Sequence, residues 1–149
     1  DIEDACLVLK SGYSGKCGLF DLSDGKQVID FRYDDITLLG FNRALGKDGS
    51  RRYLLNASTG DIIASLPPNI GAAHFNETPV TWIFRSKSYY GIIDEEGNIL
   101  YEDTKDPLTG VTKFRHGFSG GQKDNKKWGI LKSDGTWLVH PTYDYIKLL

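Results

Sequence analysis

A glycine that closes a short polar turn between two apolar runs occurs four times along this 149-residue chain, at Gly25, Gly60, Gly97 and Gly135. The intervals are 35, 37 and 38 residues. Self-similarity at such a period restricts the fold more than any other feature. One unit of this size cannot bury both of its faces, so neighbouring units must stack. The segments around the glycines are GKCGLFDLSDGKQVI, SRRYLLNASTGDII, SYYGIIDEEGNIL and KKWGILKSDGTWLV. Each runs from an apolar strand through SDGK, STGD, EEGN or SDGT into a second apolar strand, and the glycine supplies the positive φ that tight hairpins need.

The flanks repeat as well. DACLVLKSG, FNRALGKDG, VTWIFRSKS and FSGGQKDN precede the four segments, and RYDDITLL, PPNIGAAHF, PLTGVTKF and PTYDYIKLL follow them. Each copy therefore holds four short strands, a to d in chain order, with b the best defined and a the most variable. Pro67, Pro68, Pro107 and Pro141 are expected to fall after strand c, where a missing N–H does no harm to a central strand. Helical i, i+3, i+4, i+7 spacing is absent from every window of useful length. The expected fold is all-β, four tandem β-meander repeats of about 35–38 residues in a single repeat domain, with units near 1–40, 41–78, 79–116 and 117–149. Four strands per unit is the content of a propeller blade. The reading favours four-bladed propeller-like closure over an open twisted array, because neither flank reads as a dedicated cap.

The fourth copy, FSGGQKDNKKWGILKSDGTWLVHPTYDYI, resembles the bacterial WG repeat. Trp128-Gly129 carry the name motif. Gly18-Leu19-Phe20-Asp21 and Gly91-Ile92-Ile93-Asp94 match the strand after it, and Tyr33-Asp34-Asp35-Ile36 and Tyr143-Asp144-Tyr145-Ile146 match the closing segment. The first copy has Cys17 in place of Trp and the third has Tyr90. The second has Arg52-Tyr53 in place of Trp-Gly and lacks the Tyr-Asp segment. The resemblance implies a module that binds other proteins without an activity of its own.

Charge excludes some alternatives. The net charge is −2, with 8 basic and 10 acidic residues before Phe75 and 10 of each from there on, so no basic patch points to nucleic acid or an anionic membrane. No apolar run is long enough for a spanning helix. The chain has no Met and shows no signal peptide, so the expectation is that something preceded Asp1. A secreted, cell-surface or periplasmic location is favoured over the cytoplasm.

Candidate chemistry is sparse. His74, His116 and His140 lie 14, 19 and 5 residues beyond their turn glycines, non-equivalent places that do not make a ligand ring. No metal or other cofactor is expected. The carboxylate pairs Asp34-Asp35, Glu95-Glu96 and Glu102-Asp103 fall in turns or at strand ends, where adjacent residues point to opposite faces. The reading is therefore a non-catalytic, repeat-built binding module for a protein partner. The alternative is a carbohydrate or cell-wall module stacking its ligand on exposed Trp82 or Trp137, and a glycan hydrolase ranks below both. Trp82, Trp137 and Tyr143 are the candidate binding residues. Gly18, Gly91, Trp128 and Gly129 are structural repeat positions, with Trp128 expected to be mostly buried between units. The sequons at Asn56 and Asn76 read as chance.

Cys6 and Cys17 flank the first expected hairpin. A two-residue turn at Ser11-Gly12 would set them directly opposite each other, close enough for a disulfide in an oxidising compartment. A longer loop through Gly15 would shift that register and leave two buried thiols.

Overall fold

The computed structural model describes residues 6–76, 78–86 and 88–149. Among them there are fifteen strands and no helix. The chain divides into two compact units, residues 1–70 and 71–149.

In the first unit β1 (Cys6–Lys10), β2 (Cys17–Asp21) and β3 (Gln27–Tyr33) form a three-stranded meander. A second sheet runs β4 (Asp35–Gly40), β5 (Arg43–Asp48), β6 (Arg51–Asn56), β7 (Ile62–Leu66). Between them lies a core of Cys17, Leu19, Ile29, Tyr33, Ile36, Ala44, Leu55 and Ala57. The second unit repeats the plan. One of its sheets has β8 (Gly71–Ala72), β9 (Val80–Arg85), β10 (Tyr89–Asp94) and β11 (Ile99–Glu102). The other has β12 (Gly110–Val111), β13 (Phe118–Gln122), β14 (Trp128–Lys132) and β15 (Trp137–Tyr143). Every ladder is antiparallel.

The four b–c hairpins fall where the glycines place them. Gly25, Gly60, Gly97 and Gly135 have φ of 74, 80, 81 and 83°. An Asx side chain braces each turn: Asp21, Asn56, Asp94 and Asp134 accept backbone N–H bonds from Ser23, Ser58, Glu96 and Thr136 at 2.8–3.0 Å.

Strand d does not stay with its own copy. β4, β8 and β12 each pair with strand a of the copy that follows, so a sheet takes three strands from one copy and one from the copy before. The reason is local. Phe41 and Asn42, with φ of 56 and 57°, make a two-residue turn that folds β4 back onto β5. His116 and Gly117 do the same before β13, with Arg115 and Phe118 exchanging both backbone bonds across the turn.

The expected cysteine pairing is corrected by the first hairpin. Its turn runs from Ser11 to Lys16, closed by the Ser11 N–H to the Lys16 carbonyl and by the Gly15 N–H to the Ser11 carbonyl. Cys6 therefore faces Asp21 and Cys17 faces Lys10. Four residues of strand amount to roughly 13 Å, beyond the roughly 7 Å Cα separation a disulfide spans. No disulfide joins Cys6 and Cys17.

Candidate functional site

The repeat motif builds a corner in each copy, where the start of strand b meets the end of strand c. Cys17, Arg52, Tyr90 and Trp128 hold the first position. They face Tyr33, Leu66, Asp103 and Tyr143 respectively. A polar link ties each corner, and it differs from copy to copy. Lys16 pairs with Asp34 and Lys127 with Asp144. In the second copy the Arg52 guanidinium donates to the Ile70 carbonyl at 2.9 Å and to the Gly49 carbonyl at 2.8 Å. In the third, buried Asp103 accepts the Tyr90 N–H at 2.9 Å and the Leu108 N–H at 3.0 Å.

The glycine of the motif has its own cause. In copies one and four strand c bulges opposite it, the ladder slipping between Cys17 and Leu19 and between Trp128 and Ile130. The bulge presses backbone onto the glycine: a Cβ on Gly18 would lie 2.6 Å from the Ile29 carbonyl oxygen, and one on Gly129 2.3 Å from that of Val139. The ladder of copy two is regular there, and the position takes Tyr53.

The corners of copies one and four are built around tyrosine; those of copies two and three are open hollows. In copy two, Arg51, Arg52, Tyr53, Ser65, Leu66 and Pro68 line a space of about 370 Å³. In copy three two adjoining hollows, of about 270 and 440 Å³, share Phe84 and Tyr90. Tyr90 and Phe84 face each other across β9 and β10. Ala73, Val111 and Leu108 add apolar wall, with Ser86, Thr109, Thr112 and Lys113 at the rim. Phe84 remains 37% exposed. This aromatic groove is the candidate site.

Trp82 forms its floor and not its contact surface. It is 1% exposed, stacks on Phe114 at 5.4 Å, meets Tyr90 edge-on at 6.0 Å, and donates its indole N–H to Ser119 Oγ at 2.9 Å. A buried indole whose N–H is satisfied is a core anchor, so the expectation of an exposed stacking platform is corrected at this residue. Trp137 is half-buried against the same core and rests on Gly121. Tyr143 is 55% exposed. Trp128 is half-buried as well, its ring edge over Gly110 of its own sheet, and not the enclosed inter-unit residue expected. Gly91 abuts the Tyr89 side chain. The structure thus brings Trp82 to the groove and leaves Trp137 and Tyr143 outside it. Phe84, Leu108 and Val111 were not singled out in the sequence. The signal was there in VTWIF, an apolar run without alternation, which commits both faces of β9 to contacts.

Glu102 and His74 have structural partners. Glu102 accepts the Tyr89 hydroxyl at 2.6 Å, and burial together with that bond holds the Tyr89 pKa above the usual phenol value. His116 lines a polar hollow of about 320 Å³ with Asn76, Thr78 and Arg115, while His74 Nδ1 accepts the Asn76 N–H at 3.2 Å.

Residues 128–148 match the family model described as WG containing repeat. No curated protein matches the chain. Among solved structures it is similar to BamB from Moraxella catarrhalis, at 18% identity and a TM-score of 0.50 over 89% of this chain and 39% of that one. It is similar to the computationally designed Ika8 protein at 15% identity and 0.58, over 93% and 48%. The computationally designed Ika4 protein aligns at 15% and 0.54, over 86% of this chain and 85% of that one. The chain thus spans less than half the length of BamB and of Ika8. At these identities the likeness shows the fold.

Proposed function

We propose that this chain, a repeat protein with a WG containing repeat at residues 128–148, is a non-catalytic binding module whose ligand is another protein. The observation that carries the reading is the groove of copy three: a solvent-open aromatic pair, Phe84 and Tyr90, over a rigid indole floor, rimmed by hydroxyls and one lysine. An apolar anchor in such a hollow, with polar groups around it, is how protein interfaces concentrate their affinity. The ligand end is a loop or strand that inserts one aromatic or aliphatic side chain. The repeat organisation supports a scaffold role, since stacked units with variable corners offer several surfaces on one frame. Closure of the four repeats into a propeller belongs to the same reading. It is supported by the content of the sheets, three or four antiparallel strands each, which is that of a propeller blade.

Selection of displayed random peptides against the whole chain tests this. Enriched peptides are expected to share one large apolar residue, to shift tryptophan emission through Trp82, and to bind at least tenfold more weakly to Phe84→Ala. Trp137→Ala is expected to bind as wild type. Enrichment of nothing, or binding that survives Phe84→Ala and is lost in Trp137→Ala, would overturn the groove. Displacement of selected peptides by simple sugars would favour a carbohydrate ligand.

A further inference from the structure

In copies one and four a lysine stands just before the motif position, and it is ion-paired: Lys16 to Asp34, Lys127 to Asp144. The register fixes the same two places in the other copies. Cys17 faces Tyr33 and Trp128 faces Tyr143, each one residue short of the aspartate. In copy two Arg52 faces Leu66, so the base falls on Arg51 and the place of the acid on Pro67. In copy three Tyr90 lies beside Asp103, and the two places hold Tyr89 and Thr104. Base and acid are thus present together or absent together, except in copy two. That corner keeps the cation and has lost its carboxylate.

The hollow of about 370 Å³ lies at this corner, lined by both arginines with Tyr53, Ser65 and Leu66. Arg51 and Tyr53 are two apart on β6 and share a face, and Ser65 faces Tyr53 from β7. One guanidinium and two hydroxyls therefore converge on one side of the hairpin. Neither hydroxyl bonds to another described residue. Arg52 is held rigidly, its Nε and Nη1 donating to the carbonyls of Ile70, Gly49 and Arg51. Among the described residues neither arginine is ion-paired, although Asp48 faces Arg51 from β5. Carbonyls fix a guanidinium without neutralising it, so two positive charges remain beside the hollow. A guanidinium fork takes both oxygens of a carboxylate at once.

We propose that the corner of copy two is a binding site for a peptide carboxylate, which takes the place that Asp34 and Asp144 hold in the other corners. Arg51 supplies the charge and the fork, the Tyr53 and Ser65 hydroxyls donate to the same oxygens, and Leu66 offers apolar wall to the neighbouring ligand residue. The site lies in a different copy from the aromatic groove, takes a different chemistry, and does not depend on it.

NMR titration of the whole chain, labelled with nitrogen-15, tests it. One probe is the capped peptide acetyl-Ser-Gly-Glu-Leu-Gly-Ser-amide; the other, acetyl-Ser-Gly-Gln-Leu, carries its only carboxylate at the C-terminus. At least one is expected to shift the amides of Arg51, Tyr53 and Ser65 saturably, and the tighter of the two identifies an acidic side chain or a chain end as the source. The capped peptide with Gln in place of Glu, and the Arg51→Gln variant, are each expected to weaken binding by about tenfold or more. Pro67→Asp supplies the carboxylate from the chain itself. It is expected to block both probes and to move the Arg51 Nε–H resonance to where peptide moves it in the wild type. The unshifted remainder of each variant's spectrum shows that it is folded. Saturable binding by neither probe, equal binding of the Glu and Gln peptides, or wild-type binding in Arg51→Gln or in Pro67→Asp would overturn the site. Tighter binding of inorganic phosphate than of either probe would overturn the carboxylate assignment.

Discussion

The corners of copies one and four, set beside those of copies two and three, show one repeat serving two ends. In the first pair strand c is seven residues long, bulges over the motif glycine and brings a Tyr-Asp segment back beside the start of strand b. In the second pair strand c has five or four residues and stays regular beside the motif position. There the chain departs through Pro67-Pro68, or through the loop held by Asp103, and a hollow remains. In copies one and four the glycine answers to the bulge and not to the tryptophan. Where the bulge is missing, copy two fits Tyr53, and copy three keeps Gly91 against the Tyr89 side chain. Departure from the motif is also what opens a groove: copy three combines a tyrosine at the Trp position with a short strand c.

Exchanging side chains across this divide should give the largest effect. Gly129→Ala sets a methyl 2.3 Å from the Val139 carbonyl oxygen, and backbone has to move. Overpacking against backbone places the loss at about 3 kcal/mol. Gly91→Ala meets side chains only, mainly the Tyr89 hydroxyl that is bonded to Glu102, so its loss should be smaller, about 2 kcal/mol. Urea unfolding of both variants checks the order. Equal losses would mean that the bulge is not what the glycine serves.

That distinction marks how far the sequence could be read. The hairpins were legible because a turn needing positive φ leaves glycine at a fixed place in each copy. The Tyr-Asp segment and Trp128-Gly129 were legible as pattern. The exchange of strand d between copies was not, since its cause is Phe41 and Asn42 at positive φ, and a bulky aromatic is a poor sign of such a turn. Trp82 stood out for lacking a counterpart, but a lone tryptophan does not reveal whether it faces solvent. Its burial depends on Phe114, at the far end of its own copy, and on Ser119 of the next. The cysteine register turned on the length of one loop, and a loop with two glycines allows more than one.

Tyr33 and Tyr143 sharpen the comparison at a smaller scale. They hold the same place in the repeat, yet Tyr33 is 1% exposed and Tyr143 55%. The second sheet covers Tyr33, with Gly46 against its ring and Tyr53 edge-on at 6.3 Å. The cover leaves its hydroxyl buried with no hydrogen-bond partner among the described residues, and burial raises its pKa. Tyr33→Phe removes an unsatisfied buried group and should raise stability by up to about 1 kcal/mol. Tyr143→Phe should leave the unfolding midpoint unchanged. A loss of stability in Tyr33→Phe would show that its hydroxyl is bonded in solution, and the two tyrosines would then differ in exposure alone.

The smallest expected effect separates the ion-paired corners from the others by pH. The Lys16 ammonium first, and then the Gly49 N–H, hold the Asp34 carboxyl below the usual carboxylate range. A carboxyl whose pKa is lower folded than unfolded binds fewer protons in the folded state. Its contribution is therefore complete above the unfolded value of about 4 and fades as pH falls through the folded one. Both partners are partly open to solvent, so salt should weaken the contribution too. Asp34→Asn should lower the unfolding midpoint slightly at pH 7 in low salt, and the difference from wild type should shrink on acidification below pH 4. Arg52 donates mainly to carbonyls and adds only the last and smallest pull on the Asp34 carboxyl, so the cost of Arg52→Gln should fade less across that interval. No loss in Asp34→Asn would assign the role to the Gly49 hydrogen bond, which an asparagine oxygen can still accept, and would remove the lysine from the account of the corner.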